Sequence, residues 1–152
     1  RGRVMRPRLI DRMLDSNGNV VERFPSQVRS TLPISEPHLR LLQRGLHRAV
    51  NGESGTGRRS RSAYAVVAGK TGTAEYSGDR DGQGRLPSHA WFAGYAPAEN
   101  PEYAFAVLVR DGGEGAFAAA PIARDIVDYL MTGDLPPLPH ERPDFVQPDQ
   151  RL

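Results

Sequence analysis

Cysteine is missing from all 152 residues. Its absence excludes disulfides, thiol catalysis and thiolate-bound metals, and leaves the compartment open. Lysine is almost missing as well: Lys70 is the one lysine among 20 basic residues. Charge of one sign is not in excess. A formal net charge of +2 gives no strong phosphate-neutralising field, so nucleic acid is not an expected partner. No apolar run is long enough to cross a membrane, and Arg1-Gly2-Arg3-Val4-Met5 does not read as a signal peptide. Any membrane anchor is therefore expected upstream, outside this chain. His38, His47, His89 and His140 are scattered without ligand spacing, which gives no reason to expect a metal site.

What is present is an ordinary soluble composition, 38% hydrophobic and 25% charged, enough for one domain with a core. Leu9–Leu14 and Asn19–Phe24 read as two strands of a hairpin. Asn17-Gly18 between them predicts a type I′ turn. Ser35 is a good N-cap for a helix that carries Leu39, Leu42, Leu46, Ala49 and Val50 near helical spacing and stops at Asn51-Gly52. Residues 52–62 read as a polar loop, with Arg58-Arg59-Ser60-Arg61 solvated. Three strands should follow in an antiparallel meander, at Tyr64–Glu75, His89–Ala96 and Glu102–Arg110. Trp91, Phe92 and Tyr95 read as sheet core, and His89 as a residue that packs or hydrogen-bonds locally. Gly112-Gly113-Glu114-Gly115 then turns the chain into a helix over Ala118–Met131. From Gly133 onward a proline-rich tail, residues 133–152, is expected to be extended or disordered.

The segment with chemistry in it is Gly69-Lys70-Thr71-Gly72-Thr73-Ala74-Glu75. A strand of small residues can lie beside an extended peptide and pair with its backbone. Gly72 removes a side chain where that approach is closest. Lys70 is a compact cation that would draw in a carboxylate. Thr71 and Thr73 fall on one side at period two, so both hydroxyls can hold one anionic group. The backbone N–H of Thr73 could donate to an oxyanion forming in acyl transfer, a donor type whose loss costs about 3–4 kcal/mol of barrier.

Lys-Thr-Gly belongs to the signature set of penicillin-recognising enzymes, beside Ser-x-x-Lys and a Ser-x-Asn motif. The tripeptide alone is a weak signal. Here Ala-Gly precedes it, Thr-Ala-Glu follows it, and His89-Ala90-Trp91-Phe92-Ala93-Gly94-Tyr95-Ala96-Pro97 comes after a polar loop. Up to about residue 132 the chain resembles the C-terminal half of the transpeptidase domain of class B penicillin-binding proteins, particularly the elongation type. The resemblance implies an α/β (α+β) fold, an antiparallel sheet with flanking helices, incomplete in this chain, with residues 1–132 as the C-terminal portion of that domain. It implies catalytic roles for Lys70 and Thr73 and substrate binding by Thr71, Gly72 and Thr73. The anion they hold would be the terminal carboxylate of a D-Ala-D-Ala stem or of a β-lactam. It implies no cofactor, peptidoglycan stem peptides and β-lactams as partners, and a location on the extracytoplasmic face of the membrane.

One departure matters. Lys70 being the only lysine, a Ser-x-x-Lys would need serine at position 67, which is Val67. No Ser-x-Asn occurs either. The nucleophile and its base are expected on an upstream half of the same domain, and a truncation or cleavage product explains their absence better than a degenerate enzyme. By itself the chain is expected to be inactive, and ordered only when docked against that half. Two rivals stay open: a D,D-carboxypeptidase or β-lactamase-like sensor, and a binding module without catalysis.

Overall fold

The computed structural model describes residues 2–134. It separates into two compact units, Arg1–Leu42 and Gln43–Leu152. The first unit holds two ribbons. Strand β1 (Arg3–Met5) pairs antiparallel with β4 (Val28–Thr31), and the hairpin β2 (Arg12–Leu14) and β3 (Val20–Arg23) forms between them in sequence. The β1–β4 pair was not legible in the sequence. No described residue of this unit before Gln43 is fully buried.

The hairpin turn is not type I′. Gly18 is left-handed, at φ +83°, whereas Asn17 is not among the residues with positive φ. Gly18 N–H donates to Asp15 O at 3.1 Å, and Asp15 N–H donates to Asn19 O at 2.9 Å. This is a type I turn closed by a left-handed glycine, the next commonest hairpin connection. Asp15 decides between the two. Its carboxylate accepts the backbone N–H groups of Asn17 and Asn19, both at 2.8 Å, and the Asn19 side chain at 3.0 Å. Those contacts, the Asn19 side chain first, hold its pKa below the usual carboxylate value.

Helix α1 (Glu36–Asn51) follows, and the boundary between the units falls within it. The Ser35 hydroxyl meets the His38 ring at 3.0 Å. In the second unit β5 (Ala68–Glu75), β6 (Ser88–Ala96) and β7 (Tyr103–Val109) form the expected antiparallel meander, ordered β5-β6-β7. Strand β5 starts four residues later than its β-prone sequence suggests. The Ser62 hydroxyl accepts the N–H groups of Tyr64 (3.0 Å) and Ala65 (3.3 Å), a local turn that competes with extended pairing.

Helix α2 (Ala119–Thr132), stopped by left-handed Gly133, packs on β6 and β7. Its Ala119, Ala120, Ala123 and Val127 bury against Ala90, Phe92, Ala96 and Val107, with Val50 of α1 and Val67 completing the core. Phe92 is the largest buried side chain and stacks on Phe105, with centroids 6.2 Å apart. The reading of Trp91 and Tyr95 as sheet core needs correction. Side chains alternate across a strand, so the neighbours of Phe92 face the other way. Trp91 is 38% exposed and Tyr95 half-buried. Of the proline-rich tail, everything from residue 135 lies outside the described residues.

Candidate active site

The Lys-Thr-Gly segment occupies the middle of β5, an edge strand whose one partner among the described residues is β6. Its register is fixed. Lys70 lies opposite Ala93, Thr71 opposite Phe92, Gly72 opposite Trp91 and Thr73 opposite Ala90. Thr71 and Thr73 therefore share the face that carries Phe92, while Lys70 and Gly72 belong to the other. Lys70 and Thr73 are exposed; Thr71 and Gly72 are half-buried.

The glycine before the lysine has a packing reason. A Cβ on Gly69 would stand 2.5 Å from Phe92 Cζ and 2.7 Å from Ala93 O. Gly94, its partner in the ladder, is equally constrained by the same ring and by Ala68 O. The Phe92 ring thus lies across a pair of glycines, which draws the sheet tight just behind Lys70. Gly72 is also crowded, from within the chain. A Cβ on Gly115 would sit 2.4 Å from Gly72 O, 3.0 Å from Gly72 N and 2.2 Å from Trp91 O. The turn that leads to α2 rests directly on the backbone of the motif strand. The sequence reading gave Gly115 no role beyond turning the chain.

Lys70 does not stand free in solvent. Its ammonium donates to Thr71 O at 2.9 Å, to Thr71 Oγ1 at 3.1 Å and to Thr56 Oγ1 at 3.4 Å. The Thr71 hydroxyl donates to Thr56 Oγ1 at 3.0 Å. Lys70 and Thr71 are thus brought together, and Thr73 lies two positions further along the same edge. Thr56 is the residue that sequence reasoning missed. It sits between Gly55 and Gly57 in a loop that reads as polar and carries no local sign of a site, and only the fold brings it to the strand.

That loop is firmly held. Gly57 N–H donates to Ala49 O at 2.8 Å, and the Ser60 hydroxyl, fully buried, donates to Gly57 O at 2.7 Å. Arg61 donates to Val50 O (2.9 Å) and Gly52 O (3.1 Å), closing the C-terminal end of α1. Ser62 bonds Asp128 of α2 at 2.5 Å, and the Asn51 amide donates to Val67 O at 2.9 Å. The arginine run is therefore not simply solvated. Arg58 is bonded to Glu53 O, and Arg59 lies 4.7 Å over the Phe117 ring. Two open hollows flank Thr56, one of about 450 Å³ bounded by Arg59 and Phe117, the other of about 500 Å³ against the end of α1.

At the far end of β5 a second polar group closes the sheet. Tyr76 donates its phenol to the Asp111 carboxylate, and its ring lies 4.7 Å from that of His89. His89 Nδ1 accepts the Asp111 N–H at 3.2 Å, with Asp111 left-handed at φ +54°. His89 packs and bonds locally, as its sequence context suggests. The bond to Asp111 holds the Tyr76 pKa above the usual phenol value, because ionisation would break the bond and place two anions side by side. The neutral phenol is the favoured form, so this contact persists at neutral pH and is lost as pH rises through the raised pKa. Tyr95 is raised too, through burial. A spectrophotometric titration of Asp111→Asn is expected to return one of the two late-ionising tyrosines to ordinary behaviour. An unchanged titration would show that Asp111 does not hold Tyr76.

Residues 1–128 match the family described as the penicillin binding protein transpeptidase domain. The chain belongs to this family. Among curated relatives, the peptidoglycan D,D-transpeptidase MrdA of Haemophilus influenzae is 37% identical over 103 residues, 62% of this chain and 16% of the relative. Penicillin-binding protein 2B of Streptococcus pneumoniae is 32% identical over 134 residues, 82% of this chain and 19% of that protein. Among solved structures, penicillin-binding protein PBPA of Mycobacterium tuberculosis superposes with a TM-score of 0.68 at 27% identity, covering 84% of this chain and 30% of that one. The same mycobacterial protein is known as an imipenem acyl-enzyme complex. The penicillin-recognising fold and the kinship with class B penicillin-binding proteins are thus as the sequence resemblance implied. The chain spans less than a fifth of the length of either curated relative. Among the described residues, no helix is long and apolar enough to cross a membrane.

Proposed function

We propose that this chain supplies the substrate-holding strand of a peptidoglycan D,D-transpeptidase whose serine nucleophile lies on a segment outside residues 1–152. The observation that carries this reading is the ammonium–hydroxyl cluster of Lys70, Thr71 and Thr56 on a strand edge with no paired strand among the described residues. A carboxylate approaching that edge meets one positive charge and several O–H and N–H donors. An extended peptide can then pair with β5 beyond it, as an added strand.

In this reading the terminal carboxylate of a D-Ala-D-Ala stem rests near Lys70, Thr71 and Thr73. Gly72 leaves room for the peptide backbone, and Thr73 N–H donates to the oxyanion. The serine Oγ bonds to the penultimate alanine carbonyl carbon and gives its proton to a base beside it. The C–N bond breaks, D-Ala leaves with that proton, and the acyl ester passes to an amine of a neighbouring stem. β-Lactams acylate the same serine, with the ring nitrogen as the leaving group. The site needs no cofactor. The whole protein works on the extracytoplasmic side of the membrane, held by an anchor outside this chain.

The test is fluorescent penicillin added to a polypeptide carrying residues 1–152 together with the segment that precedes them. A denaturation-resistant label that maps to a serine outside residues 1–152 is expected. Reversible binding alone would favour a module without catalysis. Transfer of the acyl group to water, even with an amine acceptor present, would favour a carboxypeptidase.

A further inference from the structure

The geometry points to Thr56 as a direct carboxylate contact: within the Lys70–Thr71–Thr56 cluster, the hydroxyl that keeps a free proton belongs to the Gly55–Gly57 loop rather than to Thr71. The inference rests on the functional reading above and deepens it.

Donor accounting leads there. An ammonium has three donors, and those of Lys70 meet three acceptors: Thr71 O, Thr71 Oγ1 and Thr56 Oγ1. Thr71 Oγ1 accepts from Lys70 and donates to Thr56 Oγ1. Thr56 Oγ1 then accepts two hydrogen bonds, which fills both its lone pairs. One hydrogen bond between the two hydroxyls uses one of their two protons, so the other has no acceptor among the described residues; in this arrangement it is that of Thr56. Exposure agrees with this assignment. Thr71 is half-buried, whereas Thr56 is exposed, so its free donor is open to solvent. An approaching anion meets that donor without any bond of the cluster having to break.

The loop is built to keep the hydroxyl there. A Cβ on Gly55 would stand 2.4 Å from Ala49 O, and one on Gly57 3.2 Å from it, so the loop lies flush against the end of α1. Gly57 N–H and Arg61 fix it to that helix, the buried Ser60 hydroxyl braces it from within through Gly57 O, and Ser62 fixes its exit to α2. A contact held by so many bonds is preorganised, and little ordering is left for the moment of binding. The two hollows beside Thr56 are lined by Arg48, Arg58, Arg59 and Arg61, with Glu53 the one acidic side chain. The surroundings thus favour an anionic guest.

The experiment uses the polypeptide that includes the preceding segment, in wild-type, Thr56→Val and Thr56→Ser forms. Affinity is read from threonine-methyl NMR shifts, with N-acetyl-D-Ala-D-Ala and its C-terminal amide as probes; acylation by penicillin is read separately. Thr56→Val is expected to weaken binding of the acid by about ten- to hundredfold, the span of a charge-assisted hydrogen bond. Binding of the amide should change by less than about threefold, and Thr56→Ser should restore the acid. Equal losses for acid and amide, or acid binding untouched in Thr56→Val, overturn the inference. The readouts are independent. Thr56-dependent acid binding without acylation would sink the catalytic reading and leave Thr56 in place. Acylation with Thr56-independent acid binding would do the reverse.

Discussion

Lys70→Met, made in a polypeptide that also carries the nucleophile, is expected to slow penicillin acylation by about 10²–10³-fold. The substitution keeps most of the apolar stem and removes the only charge of the Lys70–Thr71–Thr56 cluster. Two losses combine. A carboxylate at the site no longer meets a cation, and a charge-assisted hydrogen bond is about twice as strong as a neutral one. The oxygens of Thr71 and Thr56 also lose their shared donor and can rotate away from the edge. Together these reach the scale seen when one preorganised donor is removed from an acyl-transfer site, about 3–4 kcal/mol. The fold itself should be nearly indifferent, because Lys70 is exposed and its bonds lie at the surface. Second-order acylation rates beside urea unfolding provide the check. A fall of less than fivefold, with stability intact, would falsify the central role given to the ammonium.

Gly115→Ala is expected to damage both stability and chemistry. The new methyl would lie 2.2 Å from Trp91 O and 2.4 Å from Gly72 O, and both are main-chain atoms of the sheet that cannot swing aside. Either the turn before α2 lifts or β5 shifts. Overpacking of this kind costs about 1–3 kcal/mol. Lifting the turn also disturbs the start of α2, since Gly115 O accepts the N–H groups of Ala119 and Ala120. Shifting β5 displaces Gly72 and with it Thr73, whose N–H is assigned to the oxyanion. Gly82→Ala is the control. Nothing lies within 4 Å of its Cβ position and its φ is not left-handed, so a change within about 0.5 kcal/mol is expected. Denaturant midpoints and acylation rates of the two variants settle the comparison, and equal behaviour would mean that the Gly115–Gly72 contact carries no weight.

The meander, both helices and the motif strand were legible because they rest on local signals: β-prone runs, helical spacing and turn residues placed where a strand must end. Thr56 was illegible for the opposite reason. Its neighbours in sequence are glycine, serine and arginine, and although the Gly55-Thr56-Gly57 loop shares the family resemblance, nothing local marks its hydroxyl for the site. Only the return of the chain at Lys70, fourteen residues later, gives it a partner. Gly115 was hidden in the same way, since a glycine required by a turn and one required by a crossing strand look alike in a string of letters. The hairpin turn shows a finer limit. Asn-Gly favours one turn type, but the carboxylate of Asp15 collects the N–H groups of Asn17 and Asn19 and imposes another. The same holds for Trp91, where aromatic character suggests burial and the alternation of the strand decides against it.

A lysine-specific protease finds one cleavage site in this sequence, the peptide bond between Lys70 and Thr71, and that bond is laced into the ladder with Ala93 and Phe92. Cutting needs an extended, unpaired segment, so proteolysis must wait until β5 peels away from β6. With protease in excess, so that cutting outpaces reclosing, the rate at which the intact chain disappears clocks the opening of this sheet, read on an unaltered molecule without any added label.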